Sequence, residues 1–280
     1  MSDLALFSVA ELLSGFARKR FSPVEAAKAA LARISRLDPT FNAFCLVDEE
    51  SALASARASE ARWVRGEPQG TLDGVPATIK DLLLTAGWPT LRGSKLVDRK
   101  QTWNEDAPAV ARLRERNAVL LGKTTTPEFG WKGIGDSPLT GITRNPWDPT
   151  RTAGGSSAGA AVAAALGMGA LHVGTDGGGS IRMPAGFCGI FGLKPTYGRV
   201  AAYPASPAGL LAHIGPMTRS VEDAARMMEA IARPDVRDVF SLPPDDGSWL
   251  LDLEKGVAGM RIGYSPRLGV ATVDPEIAAA

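Results

Sequence analysis

In the first third of the chain, apolar and polar residues alternate as they do in helices, with start and stop signals at the boundaries. The tetrapeptide 22–25, Ser-Pro-Val-Glu, combines a serine cap, a proline at the first helical position and a glutamate three residues after the cap. It predicts a helix over 26–37 that stops near Asp38-Pro39. A second helix is predicted over 51–65, ending at Gly66. Residues 1–70 are therefore expected to form a helical part.

From Gly70 onward, short apolar runs alternate with helical stretches. Strands are predicted at 75–79, 118–121, 171–173 and 260–264, and helices at 107–116, 162–166 and 220–232. Alternation of this kind is typical of α/β layers around a central sheet. The predicted fold class is therefore α/β.

The composition is that of an ordinary globular protein, with 45% apolar and 22% charged residues. The formal net charge is +1, whereas a nucleic-acid or membrane partner would need a basic excess or a clustered basic stripe. Neither partner is expected. The uncharged run 153–175 is rich in Gly and Ala and contains Ser156, Ser157 and His172. It is interpreted as a glycine-rich turn and a buried small-residue helix, not as a membrane span.

The cysteines and the N-terminal residues indicate the cellular compartment. Cys45 and Cys188 are too few and too distant in sequence for a disulfide framework, and both are expected to be reduced and buried. Residues 1–13 have no basic n-region and no cleavage-site pattern, so no signal peptide is expected. A cytoplasmic protein is predicted.

Several common kinds of site are not supported. His172 and His213, the two histidines, lack partners at a metal-ligand spacing, so no metal site is expected. No Gly-x-Ser-x-Gly elbow is present. Gly122-Lys123-Thr124 resembles the end of a P-loop, but Asn117 stands where that motif requires glycine. No cofactor is expected.

Two glycine-rich stretches suit acyl transfer. Residues 154–159 read Gly-Gly-Ser-Ser-Ala-Gly, and residues 174–182 read Gly-Thr-Asp-Gly-Gly-Gly-Ser-Ile-Arg. Glycines before a serine allow successive amides to converge as an oxyanion hole, and they place Ser180 at its edge. A serine nucleophile needs a base, and a desolvated lysine is a natural substitute for histidine.

Lys80 is the candidate for that base, because it follows the apolar run 75–79. Its position alone favours a surface lysine at the end of a strand. The alternative is a buried lysine that acts as a neutral base.

The stretch 154–197 contains the two glycine-rich loops, then Phe-Cys-Gly at 187–189 and Gly-Leu-Lys-Pro-Thr at 192–196. This pattern resembles the signature of the amidase-signature family. Further pieces that resemble the family are Gly-Val-Pro at 74–76 before Lys80-Asp81, Gly-Lys-Thr at 122–124 with Glu128-Phe129, Arg-Asn-Pro-Trp-Asp at 144–148, and Gly-Pro-Met at 215–217 with Arg219. The resemblance extends from about residue 72 to residue 274.

The resemblance implies a role for each matching residue. Ser180 matches the nucleophile, Ser156 the bridging serine that follows a cis peptide bond, and Lys80 the base. The backbone amides that match the oxyanion hole belong to Gly177, Gly178, Gly179 and Ser180, and the supporting polar positions are Ser157, Thr175, Asp176 and Arg182. The implied fold is a mixed twisted sheet covered by helices on both faces.

The chain departs from the family in two respects. Family loops often carry a side chain at the position of Gly177. Family members are also longer, so the resemblance implies one domain over 1–280 that lacks its C-terminal portion, with 1–70 the helical part and 71–280 the catalytic core. That missing portion supplies much of the substrate pocket in the family.

Three hypotheses follow. The favoured one is a free-standing amidase that hydrolyses the carboxamide of a small molecule, with a homodimer left open. The second is the glutamine-hydrolysing A subunit of a tRNA-dependent amidotransferase, although residues 88–103 and 130–140 are not typical of that subunit. The third is a non-catalytic fragment.

Overall fold

The computed structural model describes residues 3–244 and 246–279. Its N-terminal part contains helices α1 (Val9–Ala17), α2 (Pro23–Phe41) and α3 (Glu49–Arg65), with strand β1 (Phe44–Val47) between α2 and α3. The capping box predicted at the start of α2 is confirmed. The Glu25 amide donates to Ser22 Oγ at 3.2 Å, and the Ser22 amide donates to the Glu25 carboxylate at 2.8 Å.

Helix α2 continues past the stop predicted near Asp38-Pro39, so that prediction was wrong. Pro39 lies inside the last turn. The helix ends at Phe41, and its C-cap residue Asn42 has a left-handed conformation. The Asp38 carboxylate accepts hydrogen bonds from the amides of Ala43 at 2.6 Å and Phe44 at 3.1 Å. These hydrogen bonds stabilise the C-terminal end of the helix beyond Pro39. A prediction based on the proline alone does not include them.

Contacts divide the chain into two compact units, Met1–Trp249 and Leu250–Ala280. The first unit also contains β2 (Pro76–Lys80), α4 (Pro108–Glu115), β3 (Val119–Thr124), β4 (Asp136–Ser137), β5 (Gly141–Ile142), α5 (Ala158–Ala165), β6 (Leu171–Asp176), α6 (Arg182–Cys188), β7 (Phe191–Gly192), β8 (His213–Thr218) and α7 (Val221–Ile231). The strands predicted at 75–79, 118–121 and 171–173 and the helices predicted at 107–116, 162–166 and 220–232 are confirmed. The predicted single domain over 1–280, with its division at residue 70, stays a prediction.

Six of the described strands form one mixed sheet in the order β1-β3-β2-β6-β8-β7. Strand β2 lies in the middle and pairs in parallel with β3 and with β6, whereas the remaining pairs are antiparallel. Every residue of β2 and β3 is buried. Parallel strands covered on both faces read as continuous apolar runs, which is why these two were recognisable from sequence.

Helices cover both faces of this sheet, as predicted. Along β3, Leu120 packs into one core and Val119 and Leu121 into the other, because successive side chains point to opposite faces. The first core receives apolar residues of α1, α4 and α7. The second receives apolar residues of α2, α3 and α5. The α/β fold class is confirmed.

The second unit contains a short 3-10 helix at Leu253–Lys255 and helix α8 (Pro275–Ala279). The strand predicted over 260–264 is absent from its described residues, so that prediction was wrong. Met260, Ile262 and Tyr264 are all exposed in this unit. Apolar alternation forms a strand only where a neighbouring strand provides hydrogen-bond partners.

Helix α5, which lies in the uncharged run 153–175, spans 8 residues. Nowhere in residues 3–244 or 246–279 is a helix both long and apolar enough to cross a membrane.

Gly159 offers a test of how closely α5 approaches the sheet. A Cβ atom at Gly159 would lie 2.2 Å from the Ala43 carbonyl oxygen and 2.5 Å from the Thr125 nitrogen, both of them backbone atoms. We expect Gly159→Ala to lower the free energy of unfolding by about 3 kcal/mol, measured by urea denaturation. The matched control is Gly186→Ala in α6, where a Cβ would meet nothing within 4 Å. The control should be neutral or stabilising by up to about 1 kcal/mol. Equal stability of the two variants would contradict this packing.

Candidate active site

Lys80 is the last residue of β2 and is fully buried. Its Nζ atom is hydrogen-bonded to Ser156 Oγ at 2.7 Å, Ser157 Oγ at 2.9 Å and Thr175 Oγ1 at 2.8 Å. The interpretation from position alone, a surface lysine at a strand end, was wrong. Because β2 is the central strand, its end lies beneath the loops that carry these hydroxyl groups.

The sheet explains why residues distant in sequence meet here. Strand β6 runs parallel to β2, with Ile79 in register with Val173. Lys80 and Thr175 therefore lie at the carboxyl ends of two neighbouring strands, on the same side of the molecule. The loop that follows β6 carries Ser180, and the turn before α5 carries Ser156. Sites formed at the carboxyl ends of parallel strands follow from this arrangement.

The surroundings of Lys80 disfavour its charged form. Burial lowers its pKa well below the ordinary value, and the nearby Asp176 carboxylate acts in the opposite direction. Its three hydrogen-bond partners are neutral hydroxyl groups. A neutral amine donates two hydrogen bonds and accepts one, so one of these hydroxyls can donate to it. The arrangement therefore suits proton transfer from a serine to the lysine.

The two serine loops are joined by hydrogen bonds. The peptide bond between Gly155 and Ser156 is cis, as the resemblance implied. The Ser157 amide donates to the Ser180 carbonyl at 3.1 Å. The Ser157 hydroxyl donates to the Thr175 carbonyl at 3.1 Å and accepts from the Thr175 amide at 3.2 Å. Ser157 thus connects β6, Lys80 and the loop that carries Ser180.

Asp176 anchors the glycine-rich loop. Its buried carboxylate accepts hydrogen bonds from the Gly179 amide at 2.7 Å, from the Ile181 amide at 3.2 Å and from two nitrogens of Arg182, each at 2.9 Å. Burial raises the pKa of Asp176, but the bonds from Arg182 and from the two amides outweigh burial and hold this pKa well below its usual range. The carboxylate is therefore ionised, and it orders the loop on which Ser180 lies.

The three loop glycines differ in their surroundings. Gly177 and Gly178 are exposed, whereas Gly179 is buried, and its amide already donates to Asp176. A Cβ at Gly177 would meet only ordinary contacts at 3.8 Å, from Ala208 and Leu211. Gly179 has φ of +111°, and a Cβ there would lie 3.1 Å from Met183 Cγ. Glycine is therefore required at 179 and not at 177.

Comparison with known proteins identifies the family. The sequence profile of the Amidase family matches residues 25–280. The chain belongs to this family.

Individual relatives support the same conclusion. The A subunit of the glutamyl-tRNA(Gln) amidotransferase of Myxococcus xanthus (strain DK1622) is 44% identical over 283 residues, covering 100% of this chain and 57% of that protein. The acylamidase of Rhodococcus erythropolis is 40% identical over 285 residues, covering 99% of this chain and 58% of the relative. The crystal structure of a bacterial aryl acylamidase of the amidase-signature enzymes superimposes with a TM-score of 0.91 at 34% identity, covering 98% and 57% of the two chains. This amidase-family chain thus spans less than two thirds of these relatives.

Two features beside the site escaped the sequence analysis. A Cβ at Gly130 of this amidase-family chain would lie 3.3 Å from Ser156 Oγ, so the backbone after Glu128-Phe129 borders Ser156. Lys123 is a second fully buried lysine and lies 3.0 Å from Asp81. Both residues stand in or next to pieces that resemble the family, but only the fold shows what they contact.

The lowered pKa of Lys80 has a consequence for stability. Because its folded-state pKa is lowered, the unfolded chain binds a proton that the folded protein does not at pH values between the folded and unfolded pKa. Across that range the free energy of unfolding rises with pH, up to the unfolded pKa. We expect the free energy of unfolding of the wild type to rise relative to Lys80→Met between pH 7 and pH 10, by up to ~1.4 kcal/mol per pH unit. Urea denaturation at several pH values measures this difference.

The control for this titration is Lys28→Met, which replaces an exposed lysine of α2. Its stability should follow the wild type across the same pH range. If the free energies of unfolding of the wild type and Lys80→Met follow parallel curves against pH, Lys80 has the same pKa in the folded and unfolded states. That result would contradict the proposed neutral amine.

Proposed function

We propose that this chain carries the catalytic machinery of an amidase, which hydrolyses a carboxamide to a carboxylic acid and ammonia or an amine. The observation that carries the proposal is the buried Lys80 amine, 2.7 Å from Ser156 Oγ and hydrogen-bonded to hydroxyl groups. The acylamidase and aryl acylamidase relatives support carboxamides as the substrate class.

The proposed reaction begins with a proton relay. Neutral Lys80 takes a proton from Ser156, which takes one from Ser180. The Ser180 oxygen then attacks the amide carbonyl carbon. The resulting oxyanion is assigned to the amides of Gly177, Gly178, Gly179 and Ser180, of which the Gly179 amide donates to Asp176 in the structure. The relay returns its proton to the departing nitrogen as the carbon–nitrogen bond breaks.

The second half of the reaction releases the acid. Water attacks the acyl group on Ser180 and gives up a proton through the same relay, and the Ser180 oxygen leaves protonated. In this scheme Ser157 and Thr175 hold the Lys80 amine in place, while Asp176 and Arg182 hold the loop. The reaction needs no metal or other cofactor.

The proposal includes a cytoplasmic location, which the unpaired Cys45 and Cys188 support. A homodimer stays an expectation from the family resemblance.

A second candidate function is that of a glutamine-hydrolysing subunit that supplies ammonia to a partner. The 44% identity to the A subunit of the amidotransferase favours it. We prefer the free-standing amidase because residues 88–103 and 130–140 are not typical of that subunit. Ammonia release from glutamine only after addition of the partner subunits would reverse this preference.

Labelling by a fluorophosphonate tests the amidase proposal without knowledge of the substrate. We expect the wild type to gain the mass of one adduct, because the relay activates Ser180. Ser180→Ala should gain none, and Lys80→Met should react at least ~100-fold more slowly at neutral pH because it lacks the base. Intact-mass spectrometry against time measures these rates.

The matched control is Ser59→Ala, which removes a buried serine of α3 and should label like the wild type. An adduct that persists in Ser180→Ala would overturn the assignment of Ser180 as the nucleophile. A folded wild type without any adduct would instead support the hypothesis of a non-catalytic fragment.

The glycine-rich loop offers a second test. We expect Gly177→Ala to label within about twofold of the wild type, since its new methyl group makes only ordinary contacts. Gly179→Ala should label ~100-fold more slowly, because the side chain disfavours the left-handed backbone and displaces the oxyanion loop. The same mass-spectrometric rates measure both variants. Equal losses would show that the loop needs glycine at 177 as well.

A further inference from the structure

A second buried lysine, which the proposed reaction does not use, lies beside the site. Lys123 lies on β3, and its Nζ atom is 3.0 Å from a carboxylate oxygen of Asp81. It also donates hydrogen bonds to the carbonyls of Leu83 at 3.1 Å and Pro89 at 3.3 Å, and to the Thr90 hydroxyl. One side-chain amine therefore connects β3 to both ends of the segment 83–90.

Asp81 is the residue directly after Lys80. Lys80 is in register with Thr124 of β3, and the Asp81 amide donates to the Thr124 carbonyl at 3.0 Å. The Asp81 side chain reaches Lys123, while the Lys80 side chain reaches Ser156. The backbone at the end of β2 is thus held on one side by the catalytic network and on the other by Lys123.

The turn after β2 is coupled to the same group. The Lys80 carbonyl accepts hydrogen bonds from the Leu82 amide at 2.8 Å and the Leu83 amide at 3.1 Å. The Leu83 carbonyl in turn accepts from Lys123. The Lys123 amine therefore contacts both the Asp81 carboxylate and the turn that begins at the Lys80 carbonyl. The Leu83 carbonyl in that turn also accepts hydrogen bonds from the hydroxyl groups of Thr85 and Thr90, each at 3.2 Å.

The charges around Lys123 differ from those around Lys80. Burial lowers the pKa of Lys123, but the Asp81 carboxylate opposes that shift. Cys45 and Arg92 are the other titratable groups that act on Lys123, in opposite directions. Lys123 thus has a carboxylate partner, whereas the hydrogen bonds of Lys80 go to hydroxyl groups.

We propose that Lys123 is a positioning residue for Lys80: by holding Asp81 and the segment 83–90, it fixes the end of β2 from which the Lys80 amine reaches Ser156. This inference rests on the amidase function proposed above. The predicted displacement of the Lys80 amine can also be measured without any enzymatic activity.

The test compares Lys123→Met with the double variant Asp81→Asn/Lys123→Met. The double variant removes both charges and leaves no unpaired ion in the interior, so it is the variant expected to fold well. We expect both variants, when folded, to react with fluorophosphonate ~100-fold more slowly on the alkaline plateau of the pH profile, because small displacements of a catalytic group are costly.

The control is Leu12→Ala in α1, which removes buried apolar contacts far along the chain from Lys80. It should lower stability while leaving the labelling rate of the folded protein unchanged. A double variant that labels like the wild type would overturn the proposal. A rate loss in Leu12→Ala as large as that in the double variant would also overturn it, since the effect would then be one of stability.

Nuclear magnetic resonance of protein labelled with 13C at the lysine ε-carbons provides the independent readout, with the Lys80 signal assigned from Lys80→Met. We expect this signal to shift in the double variant and not in Leu12→Ala. If the wild type fails to label, the amidase proposal fails, but a shifted signal still supports the positioning role. An unchanged Lys80 signal in the double variant would refute it.

Discussion

The burial of the Lys80 amine at the end of a central strand is the constraint on which the rest of the site depends. A buried ammonium group is costly unless it is paired with a charge. Here its hydrogen-bond partners are three hydroxyl groups, and the nearby Asp176 carboxylate is hydrogen-bonded to Arg182. None of these partners fully offsets the free-energy cost of burying a charged lysine, so the neutral amine is favoured. A lysine must have such a lowered pKa to act as a base near neutral pH.

The two buried lysines show how partners decide the role of one residue type. Lys80 and Lys123 are both inaccessible to solvent and lie on neighbouring parallel strands. Lys123 faces a carboxylate and backbone carbonyls, and these contacts suit a group that holds neighbouring segments in place. Lys80 faces hydroxyl groups that can exchange protons. Their different surroundings, not their burial, separate a group that holds structure from a group that can transfer protons.

The residues of the site come from a limited part of the fold. Lys80, both serine loops and the Asp176–Arg182 pair all belong to the compact unit Met1–Trp249. The chain covers 57% and 58% of two curated relatives, and all of these site residues lie within the matched region 25–280. The candidate site is therefore built from the carboxyl ends of the central strands β2 and β6 and from the turn before α5.

The sequence by itself determined the features that depend on neighbouring residues. The capping box of α2, the buried parallel strands and the glycine-rich loops are local patterns, because each depends on residue types a few positions apart. The family resemblance then indicated Ser180, Ser156 and Lys80 together, and it also indicated the cis peptide bond before Ser156.

Only the tertiary structure decided what depends on residues far apart in the chain. Ser156 and Lys80 are 76 positions apart, and the burial of Lys80 follows from the central place of β2 in the sheet. The continuation of α2 past Pro39, the missing strand at 260–264 and the bond between Gly179 and Asp176 depend likewise on where other groups lie in space. A local sequence pattern does not specify these distances, because they arise only when distant segments pack together.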